Sequence, residues 1–281
     1  MGKFILRVCV YLFLSAFTVG GLARELFAGI IMEQVRYEKG SSQKDKAKIY
    51  ISNNKVKFVQ DGTDEVTILD LNTGEMTQID TKTKRYFVAK PEEISKTTQD
   101  AMAKAKAQME EQLSKLPPEQ RAKVEEMMKS HGISQPGALE ADNLTLKATG
   151  TIEDIAGYKS RKFEVYRNGK LSEEIWTSKD VVPDNEFDSK KMANYMKEME
   201  QMVSKANPAG EGAGSGLDRH TKVYNQVYET GFPMRSVDYS SNGGASIEEV
   251  VSVTRADVPD NEFQPPADFK KVTLQQMISS E

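Results

Sequence analysis

From Ile30 onward the chain runs through short stretches in which apolar and polar residues alternate, the period of a strand with one covered face. They fall at residues 30–38, 47–52, 55–60, 66–71, 75–80 and 85–89. Val56 and Phe58 point one way while Lys55 and Lys57 point the other, which predicts a sheet with one wet and one covered face. Tight turns at Ser52-Asn53-Asn54 and Asn72-Thr73-Gly74 make the neighbours antiparallel.

At Pro91 the period changes. Pro91-Glu92-Glu93 places proline and two acids in a first helical turn. Ile94, Ala101, Met102, Ala105, Met109, Leu113 and Leu116 then form one helical stripe. Pro117-Pro118 interrupts it, and a second helix is expected over 119–131, closed by His131 and Gly132. Strands resume at 144–153, 158–167 and 171–177, the last two joined by Asn168-Gly169, a turn in which both residues need positive φ. A helix is expected over 187–205 with Asp184 or Asn185 as its cap, followed by a glycine- and alanine-rich flexible stretch over 206–217. Residues 217–229 read as helical, and strands at 232–240 and 246–254 end the pattern. The count predicts a mainly β, α+β fold of about eleven antiparallel strands. A twisted sheet of that size curls into an unclosed half-barrel, with helical insertions at about 91–132 and 186–206 over its concave mouth.

One six-residue word, Val-Pro-Asp-Asn-Glu-Phe, occurs at 182–187 and again at 258–263. Each copy follows a strand. Proline ends the strand because it has no N–H for the ladder, and the Asp and Asn after it favour a turn. Phe187 and Phe263 can then fold back onto apolar surface. The spacing of the acids does not fit a calcium loop. The word therefore reads as a strand-exit device used twice.

Composition places the chain outside the cytoplasm. Lys3 and Arg7, an apolar run over 8–19 and Gly21-Leu22-Ala23 have the form of a secretory signal over residues 1–23, leaving one domain over 24–281. A retained anchor is the alternative, but the run is shorter than the roughly 20 residues that span a bilayer. Cleavage after Ala28 is a second possible site. Cys9 is the single cysteine and lies within that segment, so the processed chain has no disulfide and no thiolate ligand. An exported chain without disulfides fits a bacterial periplasm. Losing Lys3 and Arg7 takes the formal charge from −4 to −6, which argues against nucleic acid as a partner.

Several short motifs resemble an uncharacterised bacterial family of exported proteins. They are Ile155-Ala156-Gly157-Tyr158-Lys159, Glu174-Ile175-Trp176-Thr177, Gly231-Phe232-Pro233-Met234-Arg235, and the second repeat with Pro266 and Phe269 after it. That family is similar to the periplasmic lipoprotein carriers of the LolA and LolB type. The resemblance implies an unclosed antiparallel barrel with helices as a lid over an apolar cavity, holding a lipid or the acyl chains of a lipoprotein. The two helical insertions and the glycine-rich stretch depart from that pattern.

The candidate ligand or partner surface is rich in methionine: Met102, Met109, Met127, Met192, Met196 and Met199, with Phe163 and Trp176 on the strands. Met192, Met196 and Met199 share a helix face. An unbranched, polarizable side chain suits a surface that repacks around variable apolar partners, although ordinary core packing makes the same stripe. Docking of another envelope protein on these helices is the alternative use. No catalytic residue, metal ligand set or cofactor motif is identified: His131 and His220 lie far apart, and no nucleophile elbow or phosphate loop is present. The expectation is a non-enzymatic binding protein.

Overall fold

Alternation at period two becomes twelve strands in one sheet. The computed structural model describes residues 29–117, 120–121, 123, 143–183, 186–206, 223–239 and 243–278. The first meander comprises β1 (Ile30–Glu38), β2 (Asp45–Ser52), β3 (Lys55–Gln60), β4 (Glu65–Asp70), β5 (Glu75–Asp80) and β6 (Arg85–Ala89). The second comprises β7 (Leu144–Ile155), β8 (Tyr158–Arg167), β9 (Lys170–Ser178), β10 (Phe232–Tyr239) and β11 (Ala245–Arg255). The order is β12-β6-β5-β4-β3-β2-β1-β11-β10-β9-β8-β7, so the two meanders meet where β1 pairs with β11. The β8–β9 turn forms as expected, with Asn168 at φ 52° and Gly169 at φ 79°.

The sheet is the expected unclosed half-barrel, with one addition. β12 (Lys270–Lys271) pairs parallel with β6. The chain leaves β11 in mid-sheet and crosses β1 to β5 before reaching that edge, and a crossover of this kind permits parallel pairing where a tight hairpin does not.

Helices pack against the sheet and against one another. α1 (Pro91–Ser114) begins as read, and the Glu93 carboxylate accepts the Lys90 N–H at 3.2 Å. α2 (Ser189–Ala206) starts two residues later than the pattern suggested. Its cap is Asp188, whose Oδ1 accepts the N–H groups of Lys190 (2.9 Å) and Lys191 (3.2 Å); Asp184 and Asn185 lie outside the described residues. α3 covers residues 223–229. A short α4 (Leu274–Ile278) packs on β6 and α1, and α1 packs on α2. Among the described residues no helix is long and apolar enough to cross a membrane. Residues 1–28, and with them the expected signal and Cys9, lie outside the described set, as do Met127, His131, His220 and residues 207–217.

The expected wet side of the first meander is kept on β1 and β2, where Glu33 and Lys48 are about half exposed, but is covered around β3 to β5. On the concave face Ile30, Met32, Ile49 and Ile51 are buried, and Val56, Phe58, Leu69, Met192 and Met199 pack against them. On the other face Ile68 and Ile79 bury against Val258 and Phe263 of the C-terminal tail. There Lys55 and Lys57 meet Asp260 (3.1 Å) and Glu262 (2.9 Å). The polar face of β3 is thus an ion-paired bed for the tail.

The repeated word is the device that serves both sides. In each copy the Glu N–H donates to the Pro carbonyl three residues earlier, Glu186 to Pro183 and Glu262 to Pro259, both at 2.9 Å. Val182, Phe187, Val258 and Phe263 are all buried. The first copy is tied to the β2–β3 turn. Glu186 accepts the Asn53 N–H on its side chain (3.0 Å) and the Asn54 N–H on its carbonyl (2.9 Å), while Asn54 Oδ1 accepts the Asp188 N–H (2.6 Å).

Candidate functional site

Residues 179–231 join β9 to its neighbour β10, so this long excursion rises from mid-sheet and folds back over the concave face. It carries α2 and α3. Val223 and Val227 of α3 bury against Leu144, Val165 and Ile175, while Tyr195 and Met192 of α2 meet the core around Ile49 and Phe58. The space left between them is a cavity of about 350 Å³.

Cross-strand partners share a sheet face, so the register decides what lines this cavity. Ile49 pairs with Phe58 and Ile51 with Val56, which builds an apolar wall on one side. Ile175 pairs with Ser236 and Ser236 with Glu248, which brings polar groups to the other. A bulge between Pro233 and Arg235 leaves Met234 as the extra residue, 1% exposed and lining the cavity. Arg235 also lines it, but its guanidinium is held by Glu249 and by Glu153 (2.8 Å).

The chemically distinctive group is Glu173. It is 8% exposed, and burial pushes its carboxyl up to about 7, with Asp238 adding to the rise and the hydrogen bond from Tyr224 and the charge of Arg167 opposing it. Tyr224 Oη donates to Glu173 Oε2, and burial beside that carboxylate raises the Tyr224 phenol in turn. Tyr228, one turn on in α3, is raised for the same reasons, burial first and then Glu173 and Glu248.

A second, more polar cavity of about 640 Å³ adjoins the first. The two share Phe187 and Phe232, whose rings meet edge to face with centroids 5.7 Å apart and planes at 74°. Phe187 comes from the first repeat. Phe232 follows Gly231, at φ +137°, where a Cβ would lie 2.5 Å from the carbonyl of Ser178. Only glycine permits that approach.

The sequence-derived candidates distribute unevenly around this site. Met192 lines the inner cavity and Met199 packs on the adjoining core. Met196 is 43% and Met109 37% exposed. Phe163 and Trp176 are buried and do not line the cavity; Trp176 lies between Lys162 and Arg235, each 5.1 Å from its ring. Met127 and the side chain of Met102 lie outside the described residues. Sequence reasoning passed over Glu173, Tyr224 and Phe232. The signal for Glu173 was its two-residue spacing from Ile175, which puts an acid on a covered face. Among the described residues no group of three or more His, Cys, Asp or Glu side chains is placed to hold a metal.

The family described as "Domain of unknown function (DUF4412)" matches residues 89–269. No curated protein matches the chain. Among solved structures, PNGF-II is 11% identical over 90% of this chain and 32% of its own, with a TM-score of 0.41. The MucA/MucB complex of Pseudomonas aeruginosa is 12% identical over 88% of this chain and 58% of the matched one, with a TM-score of 0.37. A LolA superfamily protein from Nitrosomonas europaea is 7% identical over 85% and 91%, with a TM-score of 0.26. This chain spans about a third of the length of the PNGF-II structures it matches. At these scores the likenesses carry no argument about function.

Proposed function

We propose that this chain, which belongs to the DUF4412 family, is an exported, non-enzymatic binding protein that holds an apolar ligand in the half-barrel beneath α2 and α3. The observation that carries this reading is the cavity walled by Ile49, Val56, Phe58, Ile175, Met192, Val227 and Met234. Its volume of about 350 Å³ is at the small end of ligand pockets, which favours one acyl chain over the several chains of a lipoprotein anchor. Burial supplies the affinity. Ten methylenes at about 0.8 kcal/mol each give about 8 kcal/mol, less several for lost freedom, so binding on the order of 0.1 to 1 mM is expected.

Among the described lining residues the hydroxyl–carboxylate contact is that of Tyr224 with Glu173, and under this reading the pair has a structural role in holding α3 on β9. A second reading, docking of another envelope protein, draws on the exposure of Met196 and Met109 on the outer helix surfaces. Native mass spectrometry of the purified protein, followed by solvent extraction and lipid analysis, separates the two. Stoichiometric single-chain lipid supports the cavity reading. An empty protein that captures a partner, with capture lost in Met196→Glu, supports docking and sinks it.

A further inference from the structure

The inner and outer cavities differ in charge chemistry, and the difference assigns ends to a ligand. In the inner cavity Arg235 is the one cation among the described lining residues, and Glu153 and Glu249 already hold it. The other ionisable groups there are Glu173, Glu248 and two tyrosines. An anion drawn inside would meet carboxylates and leave its charge uncompensated. The outer cavity has Lys179 and Lys190 on its walls. Its two acids are Asp188, which accepts the Lys190 and Lys191 N–H groups, and Glu229, so charges balance among its described lining residues, whereas the inner cavity has carboxylates in excess.

The Phe187–Phe232 pair stands between these compartments. Phe187 is buried and fixed through Glu186 and Asp188 to the β2–β3 turn, whereas Phe232 is only half-buried. Rotation of the Phe232 ring is the smaller movement that would join the two spaces.

We propose that the outer cavity is a head-group subsite: Lys179 and Lys190 receive the anionic oxygens of a single-chain amphiphile whose tail passes Phe187 and Phe232 into the inner cavity. This rests on the function proposed above and adds the head-group chemistry and the direction of insertion. Carboxylate and phosphate heads share that chemistry.

The test uses four probes with one tail length, dodecanoate, dodecyl phosphate, dodecanol and dodecyltrimethylammonium. The ionic ones are titrated below their micelle concentrations by calorimetry, and dodecanol is kept below its solubility limit and read by its partition onto the purified protein. Both anions should bind more tightly than the ammonium. The double substitution Lys179→Glu with Lys190→Glu should weaken both anions about tenfold at low ionic strength and leave dodecanol within about twofold. Salt at about 0.5 M should remove most of that difference. Equal weakening of dodecanol, or unchanged anion binding, overturns the subsite while the inner cavity stands. Failure of all four probes to bind rejects the cavity reading and the subsite with it. Displacement of dodecanoate by millimolar inorganic phosphate would make this a free-anion site and also overturn the proposal.

Discussion

Glu173 shares a face of β9 with Ile175, and that placement puts a carboxyl into an apolar wall where its charged form is disfavoured. Its carboxyl is raised from 4.5 to about 7, so ionisation costs the folded state more than the unfolded one. The penalty is absent below about pH 4.5, grows as pH rises to about 7, and is constant above. Its upper size is about 3 kcal/mol. Glu173→Gln keeps an acceptor for Tyr224 and removes the charge. In urea unfolding the variant should match the parent near pH 4 and exceed it by about 2 kcal/mol at pH 8. Curves that stay parallel across that range would show that Glu173 is not the titrating group. Gly231 is constrained in another way: a methyl group there meets the Ser178 backbone at 2.5 Å and the φ of +137° is strained for any other residue. Gly231→Ala should cost about 2 to 4 kcal/mol, against about 1 kcal/mol for Gly157→Ala, where nothing lies within 4 Å. Comparable losses at both sites would remove the argument from close approach.

At the scale of elements, α2 shows how a stripe read from spacing divides once it is packed. Met192, Met196 and Met199 lie along one side of the helix, yet Met192 faces the cavity while Met196 is 43% exposed. Met192→Glu should therefore abolish uptake of a neutral probe such as dodecanol, with Met196→Glu changing it less than about twofold. Similar losses from both would mean that the whole stripe contacts ligand. The repeated word behaves as its turn chemistry requires in both copies, down to the same Glu to Pro hydrogen bond. What surrounds it differs. One copy leads into α2 on the concave side, and the other lays the tail over the opposite face through Asp260 and Glu262.

For the molecule as a whole, the strands, their hairpins and the curled sheet were legible because each depends on neighbours in sequence. Alternation placed the elements, Asn-Gly set the β8–β9 turn, and proline with acids set the start of α1. The covering of the β3 lysines was not legible, because their partners Asp260 and Glu262 lie 205 residues away. Nor was the cavity. Its walls come from β1, β2, β3, β9, β10, β11, α2 and α3, and they meet because β1 joins β11 and so seats one meander beside the other. That pairing is long-range, and one step of register would exchange the apolar wall for the ionic face. By itself the sequence determined the periods, turns and strand exits, which are local consequences of backbone geometry. Only the tertiary structure decided which methionine faces the cavity, where Glu173 loses water, and which pair of phenylalanines divides the two compartments, since each depends on surfaces brought together by folding.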